Sequence, residues 1–101
     1  MTSSDPSTTL HLSVIIPAYN EARRILPYLH AITAYLVQRG LAYEILVVDD
    51  GSRDDTAALV ERAGTQNLHI RLIRLPRNSG KGAAVRRGMN IIASVGSIAP
   101  F

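Results

Sequence analysis

The sequence predicts an α/β protein: a parallel sheet with flanking helices, in the order β-α-β-α-β-α. Three observations lead to this prediction. Short aliphatic runs recur along the chain, segments with helical spacing of apolar residues separate them, and glycine or proline stands at the boundaries. Such alternation is typical of parallel strands joined by right-handed crossovers.

The composition is that of one small globular domain. The chain has 101 residues, of which 47% are hydrophobic and 19% charged. Cysteine is absent, which excludes disulfides and thiol nucleophiles and favours a reducing, cytoplasmic location. Residues 1–11 are polar and are predicted to be a disordered lead-in, so the domain is placed at 12–101. No apolar stretch reaches the ~20 residues that a membrane-spanning helix needs.

The first strand and helix follow from an apolar run and a change of period. The run "LSVII", residues 12–16, is predicted to be a buried strand that stops at Pro17. A helix is then predicted from Glu21 to Gly40, with Pro27 tolerated only in its first turn. Its core face is predicted to consist of residues spaced by four, three and four: Ile25, Leu29, Ile32 and Leu36.

The second strand and helix have the clearest local signals. "YEILVV", from Tyr43 to Val48, contains four consecutive aliphatic residues, which predicts burial on both faces of the sheet. Ser52 and Asp55 match a helix-capping pattern. The helix that follows is predicted to end at Gly64 and to turn an apolar side to the core, namely Leu59, Val60 and Ala63.

A third strand is predicted at residues 69–75, "HIRLIRL", and a third helix from Lys81 to Ile92. Val85, Met89 and Ile92 are predicted to lie on one side of that helix. Three strands leave the sheet with an unfinished edge, and an exposed parallel edge favours self-association. Ligands of open parallel sheets bind outside the carboxyl ends of the strands, where "PAYNE", "DDGS" and "PRNSGKG" all fall.

Two adjacent carboxylates, Asp49 and Asp50, follow the second strand. Side by side they repel each other, so backbone N–H groups, an arginine or a ligand should compensate their charges. A carboxylate here can accept hydrogen bonds from a nucleobase or from ribose hydroxyls. Alternatively, Asp50 or Ser52 serves only the turn ahead of the next helix, and one residue can fill each role.

The segment "PRNSGKGAA" is glycine-rich and basic but matches neither common phosphate motif. Leu75 stands where a Walker loop needs glycine, and Val85 stands where a dinucleotide fingerprint needs its third glycine. Flexible glycines before a helix N-terminus, with Lys81 and Arg86 nearby, still suit phosphate. An ordinary solvent-exposed loop is the alternative.

Charge is distributed unevenly along the chain. All eight acidic residues lie at or before Glu61, whereas seven of the eleven lysines and arginines lie beyond it. The resulting positive field attracts phosphates. Nucleic acid is not predicted as a partner, because no aromatic residue lies among these arginines to stack on bases. The three histidines have no metal-ligand spacing, and a phospho-receiver domain would place its acid pair after the first strand.

Together, "SVIIPAYNEARRI", "YEILVVDDGSRDDT" and "IRLPRNSGKGAAVRRGM" resemble the opening of a family 2 glycosyltransferase with the Rossmann-like GT-A fold. The last block is most similar to dolichyl- or polyprenyl-phosphate glucosyltransferases, with the mannosyltransferases next. The resemblance implies that Asp49 and Asp50 help to hold a nucleotide sugar and that Lys81 faces its diphosphate. It also implies a base and ribose pocket lined by Pro17, Ala18, Tyr19 and Glu21. From position alone, Tyr19 and Glu21 could equally serve the core edge and the helix start.

The resemblance further implies transfer of a hexose, from UDP-glucose or GDP-mannose to a lipid phosphate, with inversion and with Mg²⁺ or Mn²⁺ as cofactor. The full-length enzyme would act at the cytoplasmic membrane face. After Gly88 the family continues to a D-x-D metal motif, whereas this sequence continues as "MNIIASVGSIAPF" without an acid. The sequence therefore predicts the nucleotide-binding half of such an enzyme, an inactive fragment with neither a metal site nor a catalytic base. The alternative is a non-catalytic nucleotide-binding module.

Overall fold

The computed structural model describes residues 11–92 and 98–100. The elements run in the order β1 (His11–Ala18), α1 (Ile25–Gln38), β2 (Ala42–Asp49), α2 (Thr56–Gln66), β3 (Ile70–Arg74), α3 (Lys81–Ile92) and β4 (Ile98–Pro100). Strand β1 begins at the last residue of the predicted lead-in, the rest of which lies outside the described residues. None of the helices in the described ranges has the length and apolar character needed to cross a bilayer.

The sheet is parallel throughout and has the strand order β3-β2-β1-β4. The predicted α/β fold is therefore confirmed, and the structure adds a short fourth strand to the three that were predicted. The fourth strand lies beside β1, with Ser13 opposite Ile98 and Ile15 opposite Pro100. Only three residues long, it carries too little alternation to be recognised as a strand, and its proline fits an edge strand, where a missing N–H costs little. Self-association stays a prediction.

The sheet is covered on both faces, as the aliphatic run of β2 predicts. Ile45 to Val48 are all fully buried. Ile45 and Val47 pack on the face covered by α1 and α2, whereas Leu46 and Val48 pack with Ile15 on the face covered by α3. Successive strand side chains point to opposite faces, so both layers draw on the same strand.

Helix α1 agrees closely with its prediction. Its buried residues are Ile25, Leu29, Ile32 and Leu36. Pro27 lies in the first turn, and Gly40 follows the helix with a φ of 69°. The helix nevertheless begins at Ile25 rather than Glu21, because residues 22–24 form a turn that closes when Arg24 and Ile25 donate to the carbonyl of Glu21.

Helix α2 differs from its prediction at both ends. It starts at Thr56, and the described structure shows no capping hydrogen bond from Asp55. Instead, Asp54 Oδ1 accepts the backbone N–H of Thr56 at 2.9 Å. The helix continues past Gly64 to Gln66. Gly64 serves packing rather than termination, because a Cβ there would lie 3.0 Å from the carbonyl oxygen of Ile70.

Helix α3 has the predicted bounds but turns a different side to the sheet. Ala84 is fully buried, whereas Met89 is 38% exposed. Gly88 packs so closely that an added Cβ would lie 2.8 Å from Ile15 Cγ2 and 3.2 Å from Val48 Cγ2. The prediction favoured the larger residues of the helix, but the small ones allow its backbone to approach the sheet. The part of the prediction that concerns the Ile92 side chain lies outside the described residues.

Candidate functional site

Three loops meet at the carboxyl edge of the sheet: loop 1 (residues 19–24), loop 2 (50–55) and loop 3 (75–80). They start side by side because the strands that precede them end in register. Ala18 lies opposite Asp49 in the β1–β2 pairing, and Asp49 lies opposite Arg74 in the β2–β3 pairing. The predicted convergence of the acidic and glycine-rich segments on one edge is therefore observed.

Asp50 joins loop 2 to loop 3. Its Oδ1 accepts the backbone N–H of Ser79 at 2.8 Å, and its Oδ2 accepts that of Gly80 at 2.8 Å. The Asn78 amide donates to the same Oδ2 at 3.2 Å. Asp50 is only 3% exposed, and these donors supply the charge compensation that the adjacent acids require.

Asp49 is fully buried and is less completely satisfied. Its Oδ2 accepts the backbone N–H of Ser52 at 3.2 Å and lies 3.7 Å from the Nε of Arg74, a side chain that is 64% exposed. Its Oδ1 has no hydrogen-bond partner within the described part of the chain. A buried carboxylate oxygen without a donor is costly, so a ligand N–H or O–H arriving there would gain a strong acceptor.

Loop 1 is held against loop 2 by hydrogen bonds from its backbone. The N–H of Asn20 donates to Ser52 Oγ at 2.8 Å, and the N–H of Glu21 donates to Thr56 Oγ1 at 2.8 Å. In return, the N–H of Arg53 donates to Asn20 Oδ1 at 2.9 Å. Asn20 adopts a φ of 54°, a conformation that asparagine tolerates better than most residues. These contacts fix the backbone on both sides of Glu21.

Asp54 completes this contact between the loops. Its Oδ2 accepts the backbone N–H of Ala22 at 3.1 Å, while its Oδ1 accepts both the hydroxyl and the backbone N–H of Thr56. The hydrogen bond from the Thr56 hydroxyl, more than any other contact, lowers the pKa of Asp54 below its usual value. Asp54 is therefore held in its charged form, which accepts all three donors.

A cavity of about 610 Å³ opens beside β1 and the first turns of α1 and α3. Its walls combine apolar groups with cationic ones, and Lys81, Arg23 and Arg24 supply the positive charge. Among the described residues that line it, the one acid is Glu21, which is paired with Arg24 at 2.6 Å. A cavity of this volume and charge suits an anionic ligand of nucleotide size.

The seven residues predicted for the site fall into three groups. Four line the cavity: Pro17, Ala18, Glu21 and Lys81. Asp49 and Asp50 lie next to it, since the backbone N–H of Asp50 donates to the carbonyl of Ala18 at 2.8 Å. Tyr19 follows Ala18 and is 41% exposed, so it does not cover the core.

Sequence reasoning missed the residues that hold loop 1 in place and one of the cations of the cavity. Ser52 and Thr56 act through long-range hydrogen bonds to loop 1, which local patterns do not reveal. Arg23 was visible within "PAYNEARR", but without the fold nothing placed it in the same cavity as Lys81. Arg86, the other cation predicted near phosphate, is exposed on α3 and is absent from the cavity lining.

The described residues do not fit a divalent metal. Within residues 11–92 and 98–100, no three side chains among histidine, aspartate and glutamate come close enough to coordinate one ion. Both oxygens of Asp50 already accept backbone N–H groups. Hard cations need several free oxygen ligands, which these residues do not offer together.

The sequence pattern of the family described as Glycosyl transferase family 2 matches residues 13–94. The chain belongs to this family. It is 43% identical over 84 residues to a dolichyl-phosphate beta-glucosyltransferase of Trichomonas vaginalis, covering 78% of this chain and 25% of that protein. It is 41% identical over 96 residues to a dolichyl-phosphate beta-glucosyltransferase of Dictyostelium discoideum, covering 86% and 29%. The family match confirms the resemblance seen in the three sequence blocks.

A solved structure supports the same fold. A mannosyltransferase of Pyrobaculum calidifontis, in complex with GDP-Man and Mn²⁺, superposes with a TM-score of 0.66 at 28% identity. The match covers 86% of this chain and 26% of that one, so the GT-A assignment is confirmed for the part compared. The chain spans about a quarter of the length of the relatives it matches.

Proposed function

We propose that this chain forms the nucleotide-sugar-binding part of an inverting hexosyltransferase that uses a polyprenyl or dolichyl phosphate as acceptor. The observation that carries the proposal is the buried Asp49 Oδ1, which lacks a partner among the described residues. Asp49 lies opposite Ala18 in the sheet, and Ala18 lines the cation-lined cavity. Uracil and guanine each offer a ring N–H to such an oxygen, so UDP-glucose and GDP-mannose are both suitable donors. The names of the relatives support the lipid-phosphate acceptor.

In this proposal, different residues of the cavity and the adjoining loops bind different parts of the donor. Pro17, Ala18, Tyr19 and Glu21 line the base and ribose side. Lys81 supplies positive charge on the diphosphate side, and Asp49 accepts from the base. Binding at fixed positions aligns the anomeric carbon with an incoming nucleophile, and alignment is a large part of catalysis in group transfer.

The proposed reaction needs little proton transfer from the protein. An oxygen of the acceptor phosphate forms a bond to the anomeric carbon while the bond to the nucleoside diphosphate breaks on the opposite face, which inverts the configuration. A phosphate oxyanion carries no proton to remove, so no general base is required. Among the described residues, Lys81 is the group placed to supply countercharge to the leaving diphosphate. A lipid acceptor also favours a peripheral position at the membrane surface for the complete enzyme.

Binding and turnover are tested separately. Calorimetric titration of the 101-residue chain with UDP and with GDP should show binding of at least one of them. The nucleotide that binds more tightly identifies the base of the donor. Asp49→Asn should weaken that binding by about tenfold to a hundredfold, the usual effect of losing a hydrogen bond to a charged group. Asp55→Asn is the matched control, because Asp55 is exposed and makes no capping bond in the described structure.

Failure to bind either nucleotide, or equal weakening by the two aspartate variants, would contradict the donor site. Turnover is assayed with UDP-glucose or GDP-mannose, Mg²⁺ and a polyprenyl phosphate. Because the chain spans only about a quarter of the matched relatives, we expect binding without turnover from these 101 residues. Robust product formation would show that the expected inactivity is wrong.

A further inference from the structure

The two adjacent aspartates differ in whether a carboxylate oxygen remains without a hydrogen-bond donor. Both oxygens of Asp50 accept backbone N–H groups of loop 3, each at 2.8 Å. Asp49 Oδ1, by contrast, has no partner within the described residues. Two equivalent ligand-binding acids would not be expected to differ in this way.

The amides held by Asp50 occupy a defined place in the fold. They belong to Ser79 and Gly80, which directly precede Lys81, the first residue of α3. Gly80 has a φ of 97°, so the chain turns sharply at the point where Asp50 holds it. Lys81 in turn lines the cavity. The position of the lysine backbone therefore depends on the Asp50 carboxylate.

A second contact packs loop 2 directly against loop 3. Gly51 packs directly on the backbone of Arg77 and Asn78, and an added Cβ would lie 2.5 to 2.7 Å from their atoms. The Asn78 side chain adds a third hydrogen bond to Asp50. Loop 3 is thus fixed to loop 2 both by steric contact and by charge-assisted hydrogen bonds.

We propose that Asp50 is a positioning residue, which acts on the donor diphosphate only by holding Ser79 and Gly80 and, through them, Lys81. Asp49 is then the member of the pair that touches the donor. This inference rests on the proposed function, since it assigns separate parts of one donor site to the two acids.

The first test needs no ligand. Asp50→Asn replaces one acceptor oxygen by an amide that cannot accept, so one of the two loop N–H groups loses its partner. Amide hydrogen exchange of the free protein, followed by NMR, should accelerate about tenfold or more at whichever of Ser79 and Gly80 loses its acceptor. Exchange at Leu46 and Val47 in β2 should stay unchanged, which shows that the variant is folded. Unchanged exchange at Ser79 and Gly80 would overturn the proposal.

The second test compares nucleoside mono- and diphosphates by calorimetry, with the uridine or guanosine pair according to the base bound. Lys81→Met should reduce the preference for the diphosphate over the monophosphate. Asp50→Asn should reduce the same preference, and the two changes combined should have little more effect than either alone. Asp49→Asn should weaken both nucleotides by the same factor and leave the preference unchanged.

Equal loss of mono- and diphosphate binding in Asp50→Asn would show that Asp50 touches the nucleoside, and would overturn the inference. If the wild-type chain binds no nucleotide, the proposed function is overturned, and with it the role of Asp50 in donor binding. The exchange result decides independently whether Asp50 holds loop 3. If Asp50→Asn does not fold, Asp50→Glu replaces it. That variant keeps the charge but moves both oxygens away from the N–H groups of Ser79 and Gly80. Exchange at these two residues should accelerate, and no acceleration there would overturn the proposal.

Discussion

Replacing Gly51 with alanine should be one of the most damaging single-methyl additions to this protein. Gly51 has a φ of 75°, and a Cβ added there would lie 2.5 Å from the carbonyl carbon of Arg77 and 2.6 Å from the backbone nitrogen of Asn78. Both neighbours are backbone atoms, so no side-chain rotation relieves the contact. Loop 2 and loop 3 would have to separate.

The magnitude is the sum of two effects. Placing a residue with a side chain in the left-handed region costs about 1–2 kcal/mol. Forcing extra volume into a packed contact costs about 1–3 kcal/mol. We therefore expect a loss of about 2–5 kcal/mol in the free energy of unfolding, a large share of the about 5–15 kcal/mol typical of a small domain.

The measurement is urea unfolding followed by circular dichroism, with Gly40→Ala as the matched control. Gly40 has a similar φ of 69°, but a Cβ there would meet nothing within 4 Å in the described part of the chain. The control should lose only the about 1–2 kcal/mol of the backbone conformation. Equal losses in the two variants would refute the reasoning, because the contact between the loops would then contribute nothing.

Three further predictions concern other parts of the fold. Gly88→Ala should lower the free energy of unfolding by about 1–3 kcal/mol, since its Cβ would lie 2.8 Å from a methyl group of Ile15. Gly82→Ala, in open space on the same helix, should raise it by up to about 1 kcal/mol. Thermal unfolding compares the two variants. Thr56→Val should cost about 1–3 kcal/mol in urea unfolding, because a buried acceptor of a loop 1 N–H is lost, and Thr56→Ser should retain most of that stability. The lowered pKa of Asp54 stabilises the fold above the ordinary aspartate value of 3.8 and ceases to do so as the pH falls through the lowered value. Urea midpoints measured from pH 6 downwards should therefore fall less steeply in Asp54→Asn than in the wild type, and identical slopes would contradict this reason for the shift.

Large apolar residues in periodic patterns predicted most of the fold correctly. In α1, the spacing from Ile25 to Leu36 identified the buried face, and in β2 the run from Ile45 to Val48 identified a strand covered on both sides. These signals suffice because burial of aliphatic surface dominates the placement of such elements. They fail in α3, where Gly88 lies against the sheet because it has no side chain and its backbone can approach closely.

The candidate site was predictable in its location but not in its internal connections. Strand ends identified the edge on which Asp49 and Asp50 lie, because parallel strands deliver their loops to one side. The different partners of the two acids depend on the path of loop 3, which no local pattern contains. In the same way, Ser52 matched a capping pattern, yet its hydroxyl accepts a hydrogen bond from Asn20, 32 residues earlier in the chain.

The central position of loop 2 bears on which sites of the protein accept added sequence. Asp50 and Gly51 hold the loop that follows β3, while Ser52 and Asp54 hold the loop that follows β1. An inserted tag or label anywhere in this short stretch would shift both neighbours at once. The turn at Gly40, at the other end of the sheet, has free space around it and is a suitable place to attach a reporter.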